Sequence, residues 1–123
     1  MRCVVALRSA WRRRQTISLG ALRLRGLGSI ANSADPQSTY SALVVPAYFS
    51  SKAALNMLTT QYASAFPRMR INSVDPGFTG TDFNQNRGTQ TVHEGTDVIV
   101  QMATIGSDGP TSRFVSRTGR VQW

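Results

Sequence analysis

Between Ala47 and Phe66 the sequence AYFSSKAALNMLTTQYASAF places Leu55, Leu58, Tyr62 and Phe66 at i, i+3, i+7 and i+11, one apolar stripe on a helix. Pro46 opens this helix and Phe66-Pro67 closes it, because proline has no amide hydrogen and restricts the residue before it. Ala47, Ala53, Ala54 and Ala63 are small enough to pack closely on a sheet or another helix. A second helix is predicted over 92–104, with Val92, Val98, Ile99, Met102 and Ile105 as its apolar positions. Thr91 followed by Glu94 is a capping-box start for it, and Gly95 weakens it. Short strands are predicted at Arg70–Val74, ended by Asp75-Pro76-Gly77, and at Arg113–Ser116. Leu19–Leu24 forms a third candidate, broken by Gly26 and Gly28. Residues 29–46 read as a long connection with a turn at Asp35-Pro36, and the Gly-, Thr-, Asn- and Gln-rich residues 78–90 read as a flexible loop.

The order helix, strand, loop, helix, strand points to a parallel sheet joined by crossover helices, an α/β layer architecture. At 123 residues one domain is the default, able to bury only a modest core if a packing layer is missing. No internal repeat is present.

Charge divides the chain unevenly. Residues 1–25 carry seven Arg and no acid, whereas the rest carries seven basic and six acidic residues, so the net +8 belongs to the first fifth of the chain. Within that segment Val4, Leu7 and Trp11 recur at helical spacing, as do Arg8 and Arg12 on another face, which predicts a short basic amphipathic helix. A mitochondrial-type presequence, a membrane-surface anchor, a poorly ordered tail and an artefact of an incorrect start or frame error all fit it. Phosphate contacts by Arg12-Arg13-Arg14 are the least favoured, because no reading motif or aromatic platform follows. Cys3 is the only cysteine and His93 the only histidine, so neither a disulfide nor a protein-built metal site is expected. No run of 18 apolar residues offers a membrane span.

Tyr48 and Lys52 stand four apart, on one face of the first helix. An ammonium beside a phenol favours the phenolate, and such a phenol can give a proton to a developing alkoxide or take one from an alcohol. On its own the pair is better read as a tyrosine packed at the helix start and a surface lysine.

The surrounding residues carry more. Tyr48-Phe49-Ser50-Ser51-Lys52-Ala53-Ala54 resembles the Y-x-x-[ST]-K-x-[AG] helix of short-chain dehydrogenases/reductases. Arg70-Ile71-Asn72-Ser73-Val74-Asp75-Pro76-Gly77 resembles the family's R-V-N-x-V-x-P-G strand and turn, and Phe78-Thr79-Gly80-Thr81 continues that turn's pattern. Gly109 to Trp123 resembles the final strand and tail. The resemblance covers residues 26–123 and implies the C-terminal part of a Rossmann-like doubly wound parallel sheet. It also implies roles. Tyr48 would be the general acid/base, and Lys52 would tune it and bind the nicotinamide ribose. Pro76, Gly77 and Thr79 would line the nicotinamide of NADP or NAD, Thr81 would approach its phosphates, and 80–90 would form part of a substrate lid. Many relatives pair through the helix that carries Tyr48, so a homo-oligomer through it is a further expectation.

Two departures qualify this. The family's substrate-orienting serine should lie just before Gly26, where Leu24-Arg25 stands, leaving Ser29 and Ser33 as substitutes only if the loop folds back. The Gly-rich turn that cradles a dinucleotide's pyrophosphate belongs to an N-terminal half that residues 1–25 do not supply. Cofactor binding by this chain is thereby put in question.

The expectation is an NAD(P)-dependent oxidoreductase acting on a carbonyl or secondary alcohol, truncated and with little or no activity alone, divided as an atypical basic segment 1–25 and a domain part 26–123. A non-catalytic interaction protein, pairing through a sheet edge or helix, and an Arg-rich arm for anionic membrane or nucleic acid are the alternatives. A cytoplasmic location is expected, or a mitochondrial one if 1–25 is a presequence.

Overall fold

The computed structural model describes residues 4–5, 16–20 and 26–123. Five strands form one sheet in the order β1 (Val4–Val5), β2 (Thr16–Gly20), β3 (Arg70–Asp75), β4 (Phe114–Ser116), β5 (Gly119–Val121). The three central strands are parallel, with Thr16 opposite Arg70 and Ser73 opposite Phe114. Of these, β3 and β4 fall where the sequence pattern predicts strands. The outer two, β1 and β5, are antiparallel, so the sheet is mixed rather than wholly parallel. Strands of two and three residues carry no period to read, and β5 arises only because Arg117-Thr118 turns the chain back on β4.

Three other expectations need correction. The strand that precedes α1 is Thr16–Gly20, not Leu19–Leu24, and it pairs in parallel with β3; residues 21–25 lie outside the described residues. Val4 and Val5 pair with Gly20 and Leu19 as a strand instead of joining a basic helix, whose remaining positions, Leu7, Arg8, Trp11 and Arg12, also lie outside the described residues. The connection 29–46 contains a short helix, α1 (Ile30–Ala34), started by Ser29, whose Oγ accepts from the Asn32 amide at 3.0 Å. The turn expected at Asp35-Pro36 is present, with the Gln37 amide donating to Asp35 Oδ1 at 2.9 Å.

Helices cover both faces of the sheet, a partial Rossmann-like arrangement. Along β3 the side chains alternate. Ile71 meets Ala63 of α2 (Pro46–Ala65), and the Ser73 hydroxyl hydrogen-bonds that of Thr59 at 2.7 Å. On the other face Val74 packs with Val98 and Met102 of α3 (Val92–Ala103). The seam that α2 buries is thus Asn56, Thr59 and Ala63, not the predicted apolar stripe. Of that stripe only Leu55 packs onto the core, while Leu58, Tyr62 and Phe66 are each about half exposed. The cause is the facing strand, whose polar Ser73 takes a hydrogen-bonding threonine in place of an oily side chain.

The capping box of α3 is formed as predicted. Glu94 Oε2 accepts from the Thr91 amide at 2.8 Å, and Thr91 Oγ1 accepts from the Glu94 amide at 3.2 Å. The helix runs through Gly95, whose missing side chain makes room for Thr79: a Cβ there would lie 2.3 Å from Thr79 Oγ1. The Thr91 amide above all, then its hydroxyl and the Arg117 guanidinium, hold the Glu94 carboxyl below its ordinary 4.5. A lowered folded value stabilises the fold fully above the unfolded one and is lost as pH falls through the folded one. Urea midpoints of the native chain should therefore drop as pH falls below about 4.5, and E94Q should show a flatter dependence there. Identical slopes for the two chains would remove Glu94 from the account.

Candidate functional site

The carboxyl ends of β2 and β3 lie side by side in the parallel part of the sheet, the end at which open α/β sheets bind ligands. Three segments lie near it: the start of α2, the buried turn 26–29, and the turn after β3.

At the start of α2, Pro46 fits the first helical position, where no amide hydrogen is needed. Tyr48 and Lys52 follow, both half-buried. Lys52 Nζ lies 5.2 Å from the centroid of the Tyr48 ring, within reach of a cation–π interaction, so the predicted pair is together in space. Between them Ser51 donates to the Tyr48 carbonyl at 2.7 Å, tying its hydroxyl to the helix. One turn further on, Asn56 is 4% exposed and its Nδ2 donates to the Gly28 carbonyl at 2.9 Å. This bond fixes α2 to the turn 26–29. An open cleft of about 260 Å³ lies between them, lined by Leu27, Ile30, Phe49 and Ala53 among others.

The turn after β3 is built from bonds that cross the loop. Gln90 Nε2 donates to the Pro76 carbonyl and, at 3.0 Å, to Thr79 Oγ1. The Gly80 amide donates to the Gln90 carbonyl at 2.8 Å, and Asn84 Nδ2 to the Thr79 carbonyl at 2.8 Å. The Thr81 amide donates to Asn84 Oδ1 at 2.9 Å at the head of a 3₁₀ turn, Asp82–Asn84. The segment 78–90 is therefore a loop closed by its own hydrogen bonds. Pro76 and Gly77 lead into this loop, and Thr79 and Thr81 lie within it.

The two halves are joined through Asp75. Its Oδ1 accepts from the Gly77 amide at 2.9 Å and its Oδ2 from the Gly26 amide at 2.6 Å. From the Pro76 turn the connection runs through Asp75 to Gly26, along the turn to Gly28, and through Asn56 to α2. Ser29 and Ser33 both line the cleft, with their hydroxyls engaged locally: Ser29 Oγ caps α1, and Ser33 Oγ donates to the Ser29 carbonyl at 2.9 Å. Leu24 and Arg25 lie outside the described residues. Sequence reasoning passed over Asn56, Asp75 and Gln90. A polar residue amid the apolar run Ala53–Leu58 was a usable signal for Asn56, whereas Gln90 acts only through partners that the folded loop brings near. Among the described residues no helix is long and apolar enough to cross a membrane.

Comparison with known proteins fits this geometry. A family model described as short chain dehydrogenase matches residues 16–92. The chain is 42% identical over 76 residues to a (+)-neomenthol dehydrogenase of Capsicum annuum, an alignment covering 58% of this chain and 24% of that protein. The solved structure of salutaridine reductase from Papaver somniferum superposes with a TM-score of 0.53 at 35% identity, over 63% of this chain and 25% of that one. Carbonyl reductase Sniffer of D. melanogaster superposes with a TM-score of 0.64 at 27% identity, over 86% and 41% of the respective chains. The chain spans about a quarter of the length of the curated relatives it matches.

Proposed function

The chain belongs to the short chain dehydrogenase family, and on that premise we propose that it carries the proton-transfer half of an NAD(P)-dependent oxidoreductase acting on a carbonyl or secondary alcohol. The observation that carries this reading is the Lys52 ammonium held 5.2 Å from the Tyr48 ring, on a helix bonded to the turn beside the carboxyl end of the sheet. In this reading the Tyr48 hydroxyl gives a proton to the oxygen of a carbonyl being reduced, or takes it from an alcohol being oxidised. Lys52 supplies the positive charge that favours the phenolate and binds the ribose. Pro76, Gly77 and Thr79 present the turn on which a nicotinamide rests, and Thr81 stands towards the phosphates. The fit of the residues present is partial. The Pro76 turn is ordered and glycine-containing, but the sequence of residues 1–25 offers no Gly-rich phosphate turn. NADP or NAD, when bound, supplies the hydride.

Residues 26–123 are the domain part in this proposal, and the 123-residue stretch alone turns over little or not at all. Its partners are a small carbonyl or alcohol compound and, on the exposed face bearing Leu58, Tyr62 and Phe66, a second copy of the chain.

Calorimetric titration with NADPH and with NADH, on a sample whose mass is read by light scattering, tests the proposal. Affinity weaker than about 1 mM is expected for the stretch alone, and micromolar affinity would overturn its impairment. Should NADPH-dependent reduction of cyclic or aromatic ketones then be seen, Y48F is expected to lower it about 100-fold or more. Undiminished turnover in Y48F would remove the assigned role, and a monomer at every concentration would remove the second copy.

A further inference from the structure

Asp75 closes β3 and is 3% exposed. A carboxylate this buried is tolerated only where donors surround it. Two backbone amides do so here, from different parts of the chain: Gly77, two residues ahead, and Gly26, 49 residues back. Amide-to-carboxylate bonds are the stronger, charge-assisted kind. The other polar side chains of β3 have separate duties. Asn72 binds the Pro110 carbonyl and the Arg113 amide, and Ser73 binds Thr59. Only a carboxylate offers two acceptor oxygens without a donor of its own. An asparagine would turn an NH₂ towards one of the amides, and a serine has a single oxygen.

We propose that Asp75 is a positioning residue that sets the separation between the turn 26–29 and the turn 76–79, and with it the gap into which nicotinamide and substrate enter. The ligand consequence rests on the functional reading above, whereas the clamp itself rests on the two hydrogen bonds. Because Asn56 ties the same 26–29 turn to α2, the clamp also carries the position of the Pro76 turn to the helix of Tyr48 and Lys52.

The test is amide hydrogen exchange by NMR on the ¹⁵N-labelled full chain and on D75N. Exchange at Gly26 and at Gly77 is expected to quicken in D75N, by about tenfold or more at the amide left facing the new NH₂. The Ser73 amide, bonded to the Arg113 carbonyl, should stay slow. Exchange at both glycines within twofold of native would overturn the proposal, and so would an equal acceleration at every amide, which is general loosening. Should D75N fail to fold, D75E keeps the charge and both oxygens on a longer stem. It is expected to retain protection at both glycines while moving both resonances, and movement of only one overturns the clamp. NADPH titration of the same samples separates the two readings. A native chain that binds no cofactor removes the cofactor assignment, while the exchange result still decides the clamp. If the native chain does bind, unaltered affinity in a folded D75N with quickened glycine exchange removes the ligand consequence alone.

Discussion

Gly88→Ala is expected to open the loop between Phe78 and Thr91. A Cβ at this position would lie 1.8 Å from the Gly80 nitrogen, 2.1 Å from the Thr79 carbonyl carbon and 2.5 Å from the Gly80 Cα. All three are main-chain atoms, so no change of rotamer relieves the clash, and the two sides of the loop must move apart. The bonds that hold them together are then stretched: Thr89 amide to Phe78 carbonyl at 2.8 Å, Gly80 amide to Gln90 carbonyl at 2.8 Å, and the Gln90 side chain to Thr79. Overpacking of this kind costs on the order of 3 kcal/mol. The cheapest relief is local, because the sheet and α2 need not move. Amide exchange at Gly80 and Thr89 should therefore rise sharply, while the capping box at Thr91 and the body of α3 stay protected. A variant with both amides still protected and an unchanged melting temperature would refute the close approach of the two strands of this loop.

Phe114→Ala should produce the largest global loss. Phe114 is 2% exposed, sits opposite both Ser73 and Val121 in the sheet, and stacks on Trp123 with ring centroids 5.8 Å apart and planes 16° from parallel. Truncating a buried aromatic ring costs about 3–5 kcal/mol. Domains have only about 5–15 kcal/mol to lose. A fall in melting temperature of roughly 10–20 °C follows for a chain of this size. The loss should also reach α1, because the Trp123 carbonyl accepts from the Ala31 amide at 3.0 Å and Trp123 would lose its stacking partner. A five-residue helix does not persist without such an anchor. Thermal melts by circular dichroism and exchange at Ala31 report the two effects separately. A melting point within a few degrees of the native chain would mean that Phe114 is not the support its burial implies.

The elements legible in the sequence were those specified by neighbours in the chain. Pro46 and Phe66-Pro67 bracket α2, Thr91 and Glu94 start α3, and the run Ile71–Val74 marks a strand. What could not be read depends on partners distant in sequence. The face that α2 buries follows from Ser73 opposite Thr59, and of the apolar stripe along the helix only Leu55 reaches the core. The order of 78–90 follows from Gln90 meeting Pro76 and Thr79, although its composition alone suggests mobility. The edge strands β1 and β5 exist through their pairing and are too short for a pattern. The candidate site divides in the same way. Tyr48 and Lys52 are visible because one helical turn brings them together, as are the contiguous positions Pro76 to Thr81. Asp75 and Asn56, which tie these groups to each other, act across 49 and 28 residues of sequence.

The polar seam under α2 has a consequence for accuracy of placement. Oily surfaces tolerate sliding along a helix axis, since one methyl replaces another at little cost. Directional bonds do not, and α2 is held by Thr59 to Ser73 and by Asn56 to Gly28. A displacement of even 1 Å along the axis would stretch both at once. Tyr48 lies roughly 16 Å up the helix from Thr59 at 1.5 Å per residue, so a rigid rod indexed at its middle delivers the phenol to a fixed height above the sheet.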